Sequence, residues 1–414
     1  KLKTETYALL DLWDIRFSYK FHPDYKLQLT YAMTKSDLQL DETATLIGRV
    51  ERKSIGPSVV TVRDGIIFDI SKKSAPTVRD VLELDDPAAY VRLEKGEPIG
   101  HLTEIAEASL NGNGLNYFLA PCDLQVVKAS GVTFAQSMVE RVIEEKAVGD
   151  PSKAEAIRAR VSSIIGDRLS SIVPGSENAR KVKKALIVEG IWSQYLEVGI
   201  GPDAEVFTKA PVLSSIGWGA KIGLHPDSRW NNPEPEIVLA VNSQGSIKGA
   251  TLGNDVNLRD VEGRSALLLG KAKDNNASCA IGPFIRLLDT TFTMTALEQL
   301  EVSLRVEGED GFSVEGISPM KEISRSPSDL VSQTLNRNHQ YPDGVMLFLG
   351  TMFAPTQDRR GPGTGFTHEI GDRVEISSPE LGCLINWVRR TDDILPWTFG
   401  ARALMENLAG RGLL

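Results

Sequence analysis

Residues 231–255, NNPEPEIVLAVNSQGSIKGATLGND, predict a β-hairpin with acidic side chains at one end. Two apolar segments, EIVLAV and SIKGATLG, flank the polar turn NSQGS, so they are predicted to be neighbouring strands. Side chains two residues apart on a strand project from the same face, so those of Glu234 and Glu236 are predicted to lie side by side on one face. Pro233 and Pro235 cannot donate ladder hydrogen bonds. The glutamate pair is therefore expected at the start of the strand or on a sheet edge.

A divalent cation is the simplest partner for such a pair of carboxylates. Two neighbouring anions repel each other unless a positive charge joins them, and hard divalent cations prefer oxygen ligands. Asp255 ends the second strand and is predicted to lie beside Glu234 and Glu236. Arg259 and Lys273 follow it and are expected to hold an anionic substrate near the metal. The alternative from the pattern alone is a solvated acidic pair on an edge strand beside an ordinary turn.

The composition of the 414-residue chain fits a soluble globular enzyme or binding protein. The chain has 55 aspartates and glutamates and 46 lysines and arginines, so its net charge is -9. This negative charge disfavours nucleic acid and anionic membranes as partners. Apolar runs stay below the roughly 18 residues of a membrane span. Three distant cysteines, Cys122, Cys279 and Cys383, fit reduced thiols in a cytoplasmic protein, and the five histidines form no zinc pattern.

The sequence divides into four predicted segments. Residues 1–32 are rich in aromatics and lack glycine, so they are interpreted as an extension or leader; the alternative is an N-terminal strand pair that packs on the body. Residues 33–115 predict a small N-terminal domain of strands with a helix near residues 77–84. Residues 120–395 predict a strand-dominated α+β domain. Residues 396–414 are predicted to form a helical tail.

Helical periodicity precedes most of the strands of the larger domain. Three helices are predicted, over 135–148, over 150–169 and from Ser176 onward, because apolar residues recur at helical spacing. Later segments alternate or are continuously apolar and predict strands, and one helix, over 326–338, interrupts them. The predicted strands of this part are YLEVGIG (195–201), EVFTKAP, EIVLAVN, SIKGATLG, CAIGPFIRLL, QLEVSLRVEGEDGFSVEG, GVMLFLGT, DRVEISS and GCLINWV.

Five of these segments together resemble the fumarylacetoacetate hydrolase superfamily. In chain order they are EPEIVLAV, GATLGNDVNLRD, GKAKDNNASCAIGPFI, YPDGVMLFLGT and IGDRVEISSPELGCLINWV. The resemblance covers about residues 120–395. It implies a mixed β-sandwich roll, a homodimer, and a site with Mg²⁺ or Mn²⁺.

The resemblance also implies roles for individual residues. Glu234, Glu236 and Asp255 would be the metal ligands. The site lysine would be Lys273 when counted back from the Gly-Pro pair, or Lys271 when counted forward from the preceding glycine. The implied substrate-binding residues are Arg259 of NDxxxRD, Lys209 of VFTKAP, Thr351 of LGT, and Thr133 of the lid sequence.

The lid sequence departs from the hydrolase pattern NYxxHxxE. Here the stretch is TFAQSMVE, so Ser137 replaces the histidine and Glu140 keeps the glutamate position. Without that imidazole the usual general base for activating water is missing. His225 is the nearest alternative, although a loop histidine beside proline is more often a surface residue. The form GVTFAQS is closer to the branch that dehydrates 2-keto-3-deoxy sugar acids.

The expected activity is therefore a metal-dependent dehydratase that converts a 2-keto-3-deoxy pentonate to 2,5-dioxopentanoate. Lys273, with its pKa lowered by burial beside the cation, or Glu140 would remove a C3 proton. Ser137 or a water would assist loss of the C4 hydroxyl, and a second loss of hydroxyl is expected after tautomerisation. Arg259 would balance anionic charge, unless it only pairs with Asp260. The alternatives are a C–C bond hydrolase of an acylpyruvate or 2,4-diketo acid, and a catalytically silent 2-keto-acid binder.

Overall fold

A computed structural model describes residues 17–18, 30–31, 38–112, 116–148, 150, 153, 172–188, 190 and 192–414. Most of the helix predicted over 150–169 lies outside these residues. So does most of the predicted extension, 1–32, and the interpretation of that segment stays a prediction. Across the residues that are described, no helix has both the length and the apolar character needed to cross a membrane.

The strands of the described residues are β1 (Phe17–Ser18), β2 (Thr30–Tyr31), β3 (Leu46–Arg52), β4 (Gly56–Arg63), β5 (Ile66–Asp69), β6 (Glu97–His101), β7 (Tyr117–Leu119), β8 (Val126–Gly131), β9 (Glu205–Ala210), β10 (Lys221–Leu224), β11 (Pro235–Val241), β12 (Ile247–Asp255), β13 (Cys279–Leu287), β14 (Glu301–Glu307), β15 (Ser313–Pro319), β16 (Val345–Phe348), β17 (Arg373–Ser378) and β18 (Gly382–Arg390). The α-helices in the same residues are α1 (Val78–Leu82), α2 (Pro87–Leu93), α3 (Leu102–Asn111), α4 (Ala135–Ala147), α5 (Glu177–Val188), α6 (Gln194–Ile200), α7 (Arg259–Glu262), α8 (Leu269–Lys273), α9 (Met294–Leu297), α10 (Pro327–Thr334) and α11 (Ala401–Gly410).

One large sheet runs through the described part of the chain in the order β6-β5-β4-β3-β13-β12-β11-β16-β8-β9, with β7 also paired to β3. The pairing of Ile47 with Ile285 joins β3 to β13. Strands from the predicted domains 33–115 and 120–395 therefore share a single sheet. The boundary between those domains stays a prediction, although the hydrogen-bonded ladder is continuous across it.

A second sheet, β10-β18-β17-β14-β15, packs against the large one. Its apolar side chains, such as Leu304 and Ile376, join Ile237 and Leu239 of β11 in the main hydrophobic core. The other face of β11, with Val238, packs under helices α1 and α2 in a second core. β11 is thus buried on both faces, which explains its continuously apolar sequence. The predicted α+β, strand-dominated fold is confirmed.

Helices α4, α5 and α6 form a third apolar cluster, here called the lid cluster, which includes Met138, Val142 and Leu196. The strand predicted over 195–201 is wrong, because these residues form α6. Ser193 caps that helix by accepting a hydrogen bond from Tyr195 N, and Tyr195, Leu196, Gly199 and Ile200 are buried along one helical face. A continuously apolar run of this length does not distinguish a buried strand from a short buried helix.

The segment predicted as a helical tail, 396–414, contains helix α11, which docks beside the N-terminal strand β4. Asn407 Nδ2 donates to Ile55 O at 2.7 Å, and Arg411 Nη1 donates to Pro57 O at 2.6 Å. The short helix predicted after Thr77 is also present, and the Thr77 side chain caps it through Asp80 N. Helix α11 is therefore held to the chain beside β4 by side-chain to backbone hydrogen bonds.

Candidate metal centre and active site

The hairpin of β11 and β12 brings the three predicted metal ligands together. Glu236 is opposite Gly253 in the ladder, and Asp255 N donates to Glu234 O at 3.0 Å, so Glu234 and Asp255 are cross-strand neighbours. One carboxylate oxygen from each of Glu234, Glu236 and Asp255 lies within 4.8 Å of the others, and all three residues are buried. The glutamates lie at the start of β11, as predicted, but β11 is a central strand between β12 and β16 rather than an edge.

Two buried lysines contact the carboxylates. Lys273 Nζ lies 2.9 Å from Asp255 Oδ2 and also contacts Glu234 Oε2. Lys209 Nζ lies 2.9 Å from Asp255 Oδ1 and donates to Val256 O at 3.0 Å. Lys271, the other candidate from the sequence, is exposed on α8. Of the two lysines that counting left open, Lys273 is the one that the structure places beside the carboxylates.

Arg141, which sequence reasoning missed, is the third cation of the cluster. Its Nη2 donates to Glu234 Oε1 at 2.6 Å and its Nη1 donates to Glu262 Oε2 at 2.8 Å. Asn257 Nδ2 also donates to Glu234 Oε1, at 3.3 Å. A signal for Arg141 was available in the sequence. Arg141 follows Ser137 by one helical turn, so both side chains lie on the same face of α4, and the lid sequence had already placed Ser137 at the site.

Burial and charge shift the pKa values of this cluster in different directions. Burial opposes the charge on Glu234, but Lys273 and Arg141 outweigh it and lower its pKa to about 2. For Glu236, burial together with the neighbouring Asp255 and Glu234 raises the pKa well above its ordinary value. Burial also opposes the charge on Lys273, yet Asp255 and Glu234 raise its pKa. In the metal-free site, two carboxylates in contact with Lys273 therefore outweigh burial and hold the proton on its amine. The lowered pKa predicted for Lys273 beside a bound cation stays a prediction.

Glu205, at the start of β9, is a second residue that sequence reasoning missed. Burial raises its pKa to about 7, helped by Glu262 and Glu234 and opposed by Arg141 and Lys273. Protein atoms surround the side chain, although it keeps some exposure to solvent. A carboxyl group with this pKa exchanges protons readily near neutral pH.

Strand β9 directs Glu205 toward the carboxylate cluster. Glu205 and Phe207 alternate along the strand, so they share one face, and Lys209 follows at a bulge in the pairing with β8. The ammonium of Lys273 lies 5.5 Å from the centroid of the Phe207 ring, and Lys209 contacts Asp255. Opposite Glu205 in the ladder is Gly131 of β8, whose missing side chain leaves room for the carboxyl group. The sequence signal was the i, i+4 spacing of Glu205 to the predicted Lys209.

The loop after β16 closes the site on the side of Glu236. Gly350 N donates to Glu236 Oε2 at 2.6 Å. The predicted substrate-binding Thr351 follows directly, is buried, and its hydroxyl is 3.1 Å from Phe353 O. The hydroxyl of Thr133 donates to Leu349 O at 2.7 Å. Thr133 and Thr351 thus lie at the same corner of the site, on the segment before α4 and the segment after β16.

The remaining predicted residues are Ser137 and Glu140 of α4, Arg259 of α7 and His225 after β10. The Ser137 hydroxyl donates to Phe134 O at 2.8 Å and is partly buried, and Glu140 is partly buried on the same helix. Arg259 is buried, donates to Pro355 O at 3.2 Å and contributes to lowering the pKa of Glu234. His225 lies in a turn, where its Nδ1 accepts a hydrogen bond from Asp227 N at 3.2 Å.

The donor set fits a hard divalent cation. The three clustered ligands offer only carboxylate oxygens, which suit Mg²⁺ and Mn²⁺ and do not favour softer metals. The pKa of Glu236 is raised first by burial and then by repulsion from the neighbouring carboxylates of Asp255 and Glu234. A bound dication would relieve that repulsion, and Glu234, Glu236 and Asp255 would hold it.

Comparison with known proteins defines the family. The sequence model described as Fumarylacetoacetate (FAA) hydrolase C-terminal matches residues 203–389. A probable 2-keto-3-deoxyxylonate dehydratase of Haloferax volcanii is 31% identical over 213 residues, which are 51% of this chain and 68% of the relative. This chain belongs to the fumarylacetoacetate hydrolase family. The 2-dehydro-3-deoxy-D-arabinonate dehydratase of Saccharolobus solfataricus is also 31% identical, over 214 residues covering 52% of this chain and 66% of that one.

Solved structures of the fumarylacetoacetate hydrolase family share the fold. A 2-keto-3-deoxy-D-arabinonate dehydratase complexed with magnesium and 2,5-dioxopentanoate superposes with a TM-score of 0.56 at 22% identity, over 83% of this chain and 99% of that one. A fumarylacetoacetate hydrolase from the psychrophile Exiguobacterium antarcticum gives a TM-score of 0.51 at 15% identity, over 83% and 99%. These similarities confirm the predicted mixed two-sheet fold of the family.

Proposed function

We propose that this chain is a divalent-metal-dependent hydro-lyase that converts a 2-keto-3-deoxy pentonate to 2,5-dioxopentanoate. The observation that carries the proposal is the buried Glu234–Glu236–Asp255 cluster, whose ligand oxygens lie within 4.8 Å of one another. The family membership supports the same reading, because both curated relatives are named as dehydratases of 2-keto-3-deoxy pentonates.

The cations of the site suit an anionic substrate. Lys209, Lys273 and Arg141 contact the carboxylates directly, and Arg259 is buried close enough to influence Glu234. A 2-keto acid brings a carboxylate and a keto oxygen that together can chelate one metal. When bound, Mg²⁺ or Mn²⁺ supplies Lewis-acid polarisation of the keto group, which acidifies the C3 protons. Lys273 stays protonated and stabilises negative charge that develops on the substrate.

Glu205 is the proposed carrier of the proton. With a pKa of about 7 it is partly ionised at neutral pH, so it can take a proton from C3 and return it to the departing C4 hydroxyl. One water leaves in this step. Moving one proton from C5 to C3 of the remaining allylic alcohol then gives an enol. Moving its hydroxyl proton to C4 gives the aldehyde, and no further atom is lost. The expected second loss of hydroxyl is wrong on atom balance, since 2,5-dioxopentanoate differs from the substrate by a single water.

The predicted roles of Glu140 as an alternative base and of Ser137 in assisting loss of the C4 hydroxyl stay predictions, as do the substrate contacts of Thr133 and Thr351. Ser137 and Glu140 lie on α4, beside the helix turn that carries Arg141. A homodimer and a cytoplasmic location also remain predictions, which size-exclusion chromatography with light scattering and fractionation of the native host would test.

The test is a product analysis with purified protein and Mg²⁺. Incubation with 2-keto-3-deoxy pentonates, followed by NMR, should yield 2,5-dioxopentanoate with all five carbons retained, and EDTA should stop the reaction. Pyruvate and a free acid formed from an acylpyruvate would instead support the hydrolase. A protein that binds metal and 2-keto acid but turns over neither substrate would support the silent binder.

A further inference from the structure

We infer that Arg141 makes the divalent cation bind before the 2-keto acid. Its guanidinium competes with the cation for Glu234 and, once displaced from that carboxylate, binds the anionic 2-keto acid. This inference rests on the proposed function, because it requires the cation site at Glu234, Glu236 and Asp255. It assigns to one residue of the lid a positioning role that is separate from proton transfer.

The first observation is that one guanidinium joins three separate elements. Arg141 belongs to α4, Glu234 precedes β11, and Glu262 ends α7. The two terminal nitrogens are divided between the carboxylates, with Nη2 at 2.6 Å from Glu234 and Nη1 at 2.8 Å from Glu262. The side chain of Arg141 is 13% exposed and those of the two glutamates are nearly fully buried. These are short, charge-assisted contacts that hold the lid cluster to the hairpin.

The second observation is that Glu234 is shared between Arg141 and the cation site. Its Oε1 accepts hydrogen bonds from Arg141 and Asn257, and its Oε2 is in contact with Lys273. A dication that binds Glu234 is attracted by the same carboxylate charge that attracts Arg141, and it then lies close to the positively charged guanidinium. The two cations therefore repel each other, and each weakens the binding of the other to this carboxylate.

The third observation is that Glu262 gives the guanidinium a second anchor. Nη1 is bonded to Glu262. When a cation takes over Glu234, that bond keeps Arg141 at the site while Nη2 is released from Glu234. A released guanidinium nitrogen beside a new positive charge is a suitable donor for a substrate carboxylate. The cation thereby prepares the site for the acid, and by linkage the acid strengthens binding of the cation.

The inference predicts two effects of opposite sign for Arg141→Gln. Without a 2-keto acid, the variant should bind Mn²⁺ on the order of tenfold more tightly, because a competing positive charge has been removed. With Mn²⁺ saturating, it should bind pyruvate, a 2-keto acid without a hydroxyl group to eliminate, on the order of tenfold more weakly. A residue that only holds the lid in place would weaken both ligands together.

The experiment measures Mn²⁺ affinity by electron paramagnetic resonance and pyruvate affinity by isothermal titration calorimetry, on the full chain. Arg180→Gln is the matched control, since Arg180 is exposed on α5 and pairs with Glu177 three residues away. It should leave both affinities unchanged. Arg141→Lys is the second variant: it keeps the charge, so Mn²⁺ binding should match the wild type, but one ammonium cannot span both carboxylates, so pyruvate binding should weaken.

The outcomes separate this inference from the proposed function. If the wild type binds no Mn²⁺, the cation site itself fails. If the wild type binds Mn²⁺ and Arg141→Gln binds it equally or more weakly, competition for Glu234 is refuted. If Arg141→Gln binds pyruvate as the wild type does, the contact of Arg141 with the acid is refuted while the cation site stands. Where the glutamine variant does not fold, the same result with Arg141→Lys refutes it.

Discussion

Adding one methyl group at Gly131 should displace Glu205 and slow the reaction without unfolding the protein. An alanine Cβ built at this position would lie 1.9 Å from Glu205 Oε2 and 2.8 Å from Cδ. An ordinary contact of a Cβ atom begins at 3.4 Å, so the carboxyl oxygen must move by about 1.5 Å. Because the colliding atoms are the far end of a flexible side chain, the side chain can swing away and the strand pairing of β8 with β9 is kept.

The expected size of the effect follows from that displacement. Misplacing a reacting group by about 1 Å can cost roughly a hundredfold in rate, equivalent to about 2.7 kcal/mol of transition-state stabilisation. We therefore expect Gly131→Ala to lower kcat for 2-keto-3-deoxy pentonate dehydration by about a hundredfold. The affinity for Mn²⁺ should be unchanged, because Glu205 is not among the three clustered ligands.

The assay is the initial rate of 2,5-dioxopentanoate formation, followed by NMR and accompanied by thermal unfolding of each variant. Gly410→Ala is the matched control, since an added Cβ there meets no atom within 4 Å at the end of α11. A Gly131→Ala variant that folds normally and keeps kcat within threefold of the wild type would refute the role of Glu205. A variant that loses Mn²⁺ binding as well would show that the substitution disturbs more than Glu205.

Three further predictions follow from the same contacts. Glu205→Gln should remove an acid limb at or below pH 7 from the pH profile of kcat/KM, and a profile like that of the wild type would contradict the role of Glu205. Because the pKa of Glu205 is raised to about 7 in the folded state, its ionisation destabilises the wild type as pH rises from about 4.5. The variant should therefore unfold at a higher temperature than the wild type at pH 8 and at an equal temperature at pH 4. Asp255→Asn should destabilise the metal-free protein by about 3 kcal/mol in urea unfolding, because Lys209 and Lys273 lose their shared buried carboxylate; a change below about 0.5 kcal/mol would show that the pairs contribute nothing. Lys273→Met should abolish turnover whereas Lys271→Met, at an exposed position, should leave kcat unchanged, and equal activities would mean that the wrong lysine was chosen.

Local pattern was sufficient to predict the hairpin and its acidic side chains. Strand alternation and the turn after Val241 placed Glu234, Glu236 and Asp255 on neighbouring strands, since those relations depend only on residues close in sequence. Counting along the sequence left Lys271 and Lys273 as alternatives, and only the burial of each side chain, which a sequence does not report, separates them. α8 turns one lysine inward and leaves the other in solvent.

Residues contributed by distant elements were harder to find. Arg141 reaches Glu234 across 93 positions of sequence, and it does so from α4, a helix that packs with α5 and α6 in the lid cluster. Glu205 becomes unusual through burial and through the charges of Glu262 and Glu234, neither of which is near it in sequence. The pairing of β3 with β13 is likewise long-range, and local composition instead favoured two separate domains. Such relations follow from tertiary packing rather than from periodicity.

The most direct test of the cation site is a titration of metal-free protein with Mn²⁺, for the wild type and for Glu236→Gln. Because burial and neighbouring carboxylates already favour a protonated Glu236, the uncharged glutamine should be tolerated by the metal-free fold. We predict one Mn²⁺ per wild-type chain and at least a hundredfold weaker binding by a normally folded Glu236→Gln protein. Equal affinities in the two proteins would place the metal elsewhere and contradict the account.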